Sequence, residues 1–146
     1  MIFKMIIDKT ADESVVATVK ERTELVDEIE NLVVSYSGGD KIKGYRDDDI
    51  KLLQFDEIDC IYVESGKTHA VTNDGNTYLI KMRLYEIEKL LPSTFIKINK
   101  SAIGNYKRIK KFIGSITGSV DVLFKCGHKD YVSRRCFSEI KRRFLK

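Results

Sequence analysis

The hydrophobic positions of the chain change period several times, and each change marks an element. Ile2–Asp8 carries apolar side chains at Ile2, Phe3, Met5, Ile6 and Ile7, and Ser14–Lys20 is rich in β-branched residues, so both read as strands. A helix follows. Thr23 suits its N-cap, and Leu25, Ile29, Leu32, Val33 and Tyr36 recur on one helical face, with Glu24, Asp27, Glu28 and Glu30 on the other. Ser37-Gly38-Gly39-Asp40 reads as a hinge. Residues 1–40 therefore predict a small α+β segment of β-β-α order. It is too small to bury a core of its own and is expected to pack on the rest of the chain or on another copy, as a dimerisation or partner-binding segment.

From Lys41 to the C-terminus the pattern turns β-rich. Lys41–Tyr45 and Ile50–Phe55 read as strands around the turn Arg46-Asp47-Asp48-Asp49, whose acidic triplet reads as a solvated turn. Asp59–Ser65 is a strong strand, and His69–Asn73 and Asn76–Lys81 flank Asp74-Gly75, the favoured two-residue hairpin turn. Arg83–Leu91 has Leu84, Ile87, Leu90 and Leu91 on one side and Pro92 to stop it, which predicts a short helix. Arg108–Ile113 and Val120–Lys125 predict strands joined by GSITGS, and Cys126-Gly127-His128-Lys129-Asp130 reads as a further turn into Tyr131-Val132. Ser133 is the candidate N-cap of a last helix with Phe137, Ile140, Phe144 and Leu145 toward the core.

Between these elements lies Phe95–Lys111, FIKINKSAIGNYKRIKK. Its first half interleaves Phe95, Ile96 and Ile98 with Lys97 and Asn99, as in a half-buried strand. A polar corner, Lys100-Ser101, leads to Ala102-Ile103 and then Gly104-Asn105, and Lys107, Arg108, Lys110 and Lys111 surround Ile109. Cations on a tight corner between two strands suit a rigid platform offered to a polyanion.

Charge sharpens this. Residues 97–146 hold fourteen Lys or Arg against three acids, a balance of +11, so the formal total of +4 leaves −7 on residues 1–96. A cationic C-terminal third is the electrostatic footprint of phosphate binding. With 42 % hydrophobic residues the chain can bury a real core, and MIFKMIIDK is too short and too soon charged for a signal peptide or a membrane span. The expected compartment is the cytoplasm, in keeping with three cysteines that form no close pairing motif.

The ordered set IDCIYVES, an NDG hairpin, RLYEIEKLLPSTFIKINKSAIGN and YVSRRCFSEIKRRF resembles the LytTR DNA-binding domain of bacterial transcription regulators. The resemblance runs from Lys41 to the C-terminus. It implies a mainly β, antiparallel fold with short helices, whose loops rather than a recognition helix enter successive major grooves of double-stranded DNA. It also implies three contact loops. The loop after Glu64 brings Lys67 and His69 to DNA. The corner after Ile98 offers Lys100 to a base edge or phosphate and Ser101 to a phosphate. The start of the last helix offers Ser133 and the helix N-terminus to a phosphate and Arg135 to a guanine edge. Arg134 and Lys107 are assigned to the backbone. Arginine can hold guanine O6 and N7 together, and hydroxyls and backbone N–H groups hold phosphates, so the side-chain chemistry agrees.

Other chemistries lack a complete set of parts. Cys126 and His128 make half a zinc site at most, Glu64 beside Ser65 has no catalytic company, and no phosphate-cradling glycine loop is present. No enzyme activity, cofactor, metal or small-molecule substrate is expected. No phosphoreceiver domain is legible, so control is expected through abundance, formation of a homodimer, or a small inhibitory membrane protein of the kind often paired with stand-alone LytTR proteins. The competing reading is a protein-interaction module whose DNA binding is weak or lost. Single-stranded RNA binding would want exposed aromatics among the cations, and Tyr106 and Tyr131 are the only easy candidates.

Overall fold

A computed structural model describes residues 1–11, 14–37 and 41–145. The chain divides into two compact units, residues 1–37 and 38–146.

In the first unit the helix is as expected. α1 spans Glu24–Ser37, and Thr23 Oγ1 accepts from Val26 N–H at 3.4 Å. Arg22 forms an ion pair with Asp27 at 2.7 Å and another with Glu30. Ile29 and Val33 are half-buried, Leu25 and Leu32 exposed, and the side chain of Tyr36 and the hinge residues 38–40 lie outside the described residues. The two strands expected before the helix are absent: neither residues 2–8 nor residues 14–20 form a strand. A strand needs an edge to pair with, and composition alone does not supply one.

The second unit is antiparallel β with two short helices. Its large sheet has the order β2-β1-β5-β4-β3-β7-β6. These strands are β1 (Lys41–Arg46), β2 (Asp49–Gln54), β3 (Ile58–Glu64), β4 (Lys67–Thr72), β5 (Thr77–Ile80), β6 (Phe95–Asn99) and β7 (Ala102–Asn105). A second sheet orders β10 (Lys129–Val132), β9 (Val120–Phe124) and β8 (Ile109–Gly114). α2 (Leu84–Glu88) precedes β6, and α3 (Arg134–Phe144) follows β10.

Alternation along the strands builds two cores. Leu53, Ile58, Ile61, Tyr78, Ile87 and Ile103 meet on one side with Leu84, Leu90 and Leu91 of the α2 region. Cys60, Ile98, Ala102, Val122, Phe124 and Ile140 meet on the other, between the large sheet, the small sheet and α3. Neighbours in sequence, such as Cys60 and Ile61, thus enter opposite cores, as a pleated strand requires. Gly104 of β7 lies directly against Phe124 of the small sheet: a Cβ there would stand 2.7 Å from Cζ of Phe124.

Three expectations need local correction. The Asp74-Gly75 turn is a three-residue loop, Asn73–Gly75, because Thr72 N–H reaches Asn76 O at 2.9 Å and Gly75 takes the left-handed conformation at φ 84°. In β6 the alternation breaks at a register shift between Lys97 and Asn99, so Asn99 turns inward, 1 % exposed. Leu145 lies beyond the end of α3 and is exposed, while Phe137, Ile140 and Phe144 pack as expected.

Candidate nucleic-acid interface

The Lys100-Ser101 corner is built on Asn99. Its Oδ1 accepts from Ser101 N–H at 2.8 Å, and its Nδ2 donates to Tyr131 O at 2.9 Å and to Asp130 Oδ1 at 3.3 Å. Ser133 N–H donates to Ile98 O at 2.9 Å, and Val63 N–H to Ser101 O at 2.8 Å. These bonds seat the corner between the β3–β4 hairpin and the start of α3. Lys100 projects into solvent and Ser101 is half-buried.

At the start of α3, Ser133 Oγ accepts from Cys136 N–H at 3.2 Å, which makes Ser133 the N-cap. The hydroxyl proton of Ser133 remains available to an acceptor. Arg134 and Arg135 are exposed in the first helical turn. Arg135 also borders a cleft of about 360 Å³ between α3 and β6, with Lys97, Arg143 and the carboxylates Glu88 and Glu139.

The β3–β4 hairpin turns through Ser65 and Gly66, both at positive φ, which sets Lys67 opposite Glu64 at an exposed tip. His69 lies two residues farther along β4 and is half-buried. It faces Tyr62 across the strands, ring centroids 5.3 Å apart, and His128 stacks on Tyr62 at 5.0 Å. His69 is thus part of a three-ring stack, not of the turn itself. Burial holds the His128 imidazole below its ordinary pKa, with the charges of Asp130, Asp59 and Glu64 opposing that shift.

Lys107 stands apart. β7 runs from Ala102, beside the corner, to Asn105, and Lys107 follows in a 3₁₀ turn whose backbone N–H is held by Asn105 Oδ1 at 3.1 Å. Four residues of strand put it roughly 13 Å from the corner. Lys67, Lys100, Ser101, Ser133, Arg134 and Arg135 therefore belong to segments joined by the bonds around Asn99, whereas Lys107 sits at the opposite end of β7 beside Gln54, Asp56 and Thr94.

Arg108 is withdrawn from the cationic field that composition suggested. Its Nε donates to Asp59 Oδ1 at 2.7 Å, and Asp59, 0 % exposed, accepts from Cys126 N–H through Oδ2 at 3.0 Å. The pair ties β3 to the small sheet. Alternation predicted neither Asn99 nor Asp59 as an internal anchor. For Asn99 the one signal was a polar residue at the end of an apolar run, which also fits a turn, and Asp59, between Ile58 and Cys60 at the start of its strand, gave none. Burial pushes the Cys60 thiol well above its ordinary range, helped by the charges of Asp130, Cys126 and Asp59. Among the described residues no group of three or more His, Cys, Asp or Glu side chains could hold a metal, and no helix is long and apolar enough to cross a membrane.

Comparison with known proteins agrees with this architecture. Residues 48–145 match the family model described as the LytTr DNA-binding domain. Two similar curated proteins, from Staphylococcus aureus strains NCTC 8325 and COL, are named uncharacterized HTH-type transcriptional regulators. Each is 32 % identical over 120 residues, spanning 80 % of this chain and 81 % of the relative. In this chain α2 and α3 are separated by five strands, so these two helices form no helix-turn-helix. A solved LytTr DNA-binding domain, from a putative methyl-accepting/DNA response regulator of Bacillus cereus, superposes with a TM-score of 0.64 at 22 % identity, covering 70 % of this chain and 94 % of that one. The strand-built platform, the bulged corner on Asn99 and the capped α3 thus stand in a known setting: this chain belongs to the LytTr DNA-binding domain family.

Proposed function

We propose that the protein is a transcriptional regulator that binds duplex DNA in the cytoplasm by setting loops into the major groove. The observation that carries this reading is the convergence, through Asn99, of the Lys100-Ser101 corner on the Ser133-capped start of α3. In this reading Arg135 reads a guanine edge. Lys100 serves a base edge or phosphate. Ser101, Ser133, the α3 N-terminus and Arg134 hold phosphates, and Lys67 adds a contact from the hairpin tip. His69 contributes through the ring stack that stiffens the hairpin and reaches DNA only at its edge. Lys107, at the far end of β7, holds backbone outside the base-reading cluster. Regulation is assigned to abundance, to formation of a homodimer or to an inhibitory membrane partner, and the exposed apolar side chains of residues 1–25 support a protein contact of this kind. Mobility-shift titrations on duplex DNA, single-stranded DNA and RNA test the reading. Preference for duplex DNA is the expected result, and equal or tighter binding to a single strand would overturn it.

A further inference from the structure

The first unit leaves much of its apolar surface in water. Ten large apolar side chains between Met1 and Leu25 are exposed by 43–93 %, with Ile2, Phe3, Ile6 and Ile7 at 77 % or more. At about 60–120 Å² apiece, the area equivalent of a buried aliphatic side chain, they amount to on the order of 600–1,200 Å². A stable interface needs about 800 Å² from each partner, so the patch is of dimer size. The backbone of residues 2–8, patterned for a strand, has no ladder partner.

Charge selects the occupant. Lys4 is exposed and makes no ion pair among the described residues. Asp8 receives Thr10 N–H at 3.0 Å and the Thr10 hydroxyl at 2.8 Å, both on Oδ1, which leaves Oδ2 open to a cation. When this stretch is laid antiparallel on itself about a two-fold axis at Ile6, residues whose numbers add to twelve oppose each other. Lys4 of each copy then meets Asp8 of the other, and Met5 meets Ile7. Moving the axis to Met5 or Ile7 puts Asp8 against an isoleucine. The stretch is self-complementary in one register, which is what an isologous dimer contact requires.

We propose that residues 2–8 are a self-pairing strand. Two copies of the chain join antiparallel about Ile6, with Lys4 against Asp8 of the second copy, and the apolar side chains of residues 1–25 close over the junction. This deepens the homodimer assigned above, and its test contains no DNA, so its failure leaves the DNA-binding reading standing and the converse holds as well.

The test is sedimentation analysis of the full chain across a concentration series, with circular dichroism to check that the β domain stays folded. The wild type is expected to be dimeric in the micromolar range. Lys4→Glu and Asp8→Lys each set like charges opposite one another twice, and each is expected to weaken the dimer roughly tenfold. The double variant Lys4→Glu/Asp8→Lys restores it. So does mixing the two single variants, because in that heterodimer both pairs are again opposite in sign. A wild type that stays monomeric at 100 µM, on the order of the weakest useful dimer, overturns the proposal. So does a pair of single variants whose mixture associates no better than either alone.

Discussion

Asn99 donates its side-chain N–H to the backbone carbonyl of Tyr131 at 2.9 Å, joining residues thirty-two positions apart in the chain. The same amide holds Ser101 N–H through its oxygen, so one buried side chain ties the Lys100-Ser101 corner to the approach of α3. Asn99→Ala leaves a backbone donor and a backbone acceptor without partners. The expected cost is about 1–3 kcal/mol of stability, read as a lower urea midpoint at unchanged slope. A midpoint equal to wild type would mean that Asn99 anchors nothing.

The Asp59–Arg108 pair makes an asymmetric prediction. Asp59 has no exposed side-chain surface, whereas Arg108 is 26 % exposed. Removing the arginine strands a carboxylate in the interior with only Cys126 N–H for company. Removing the charge of Asp59 leaves a guanidinium that can turn to water. Arg108→Met is therefore expected to cost about 3–5 kcal/mol, and Asp59→Asn about 1–3 kcal/mol. Chemical denaturation of both variants decides it. The reverse order would show that the guanidinium, and not the carboxylate, is the desolvated partner.

His128 links stability to pH. Its Nε2 is buried without a hydrogen-bond partner, and burial lowers its folded pKa below the unfolded value of 6.5. Between those two values the unfolded chain binds more protons, so its share of stability is present above about 6.5 and is lost as pH falls toward the folded pKa. Urea midpoints between pH 7.5 and pH 5 should fall more steeply for the wild type than for His128→Phe, which keeps a ring to stack on Tyr62. Parallel curves would remove His128 from the account.

Salt dependence reports the phosphate contacts. With Lys67, Lys100 and Arg134 exposed on the joined segments and further lysines beyond them, several counterions should leave the duplex on binding. The log–log slope of affinity against salt is expected to be about −5 or steeper. A flat dependence in fluorescence-anisotropy titrations would sink the phosphate assignments together.

Arg135 and Lys110 should divide their labour. Arg135 stands in the first turn of α3, and its planar fork can hold two acceptors of one guanine, while Lys110 projects from β8 and adds only to the general field. Arg135→Ala is expected to cost about 1–3 kcal/mol on the cognate site and much less on scrambled duplex. Lys110→Ala should weaken both DNAs by similar, smaller amounts. Equal losses on the two DNAs for Arg135→Ala would make it a phosphate ligand.

Much of the second unit was legible because its elements are written in local chemistry. Period-two runs marked most of the strands, and Ser133 and Thr23 capped their helices where a hydroxyl precedes an apolar repeat, whereas α2 stops at Glu88, short of the Pro92 expected to end it. The Lys100-Ser101 corner was visible for the same reason: two polar residues interrupt an apolar run. His69 was legible as a side chain near the hairpin but not as a ring in a stack, since its partners Tyr62 and His128 come from other strands.

By itself the sequence determined the β-rich pattern from residue 41 onward, the order of its helices and of its strands other than β7 and β10, and the gathering of positive charge in the last third of the chain. These follow from side-chain period, capping and composition, which act over a few residues. Tertiary structure alone decided three things. It turned Asn99 inward at a bulge, took Arg108 out of the charged surface to neutralise Asp59, and left residues 2–8 and 14–20 without the strands their composition favours. Each depends on a partner distant in the chain or missing from it. Neither burial of a polar group nor formation of a strand is a property of a residue alone: both require a second surface, and only the fold says where that surface is.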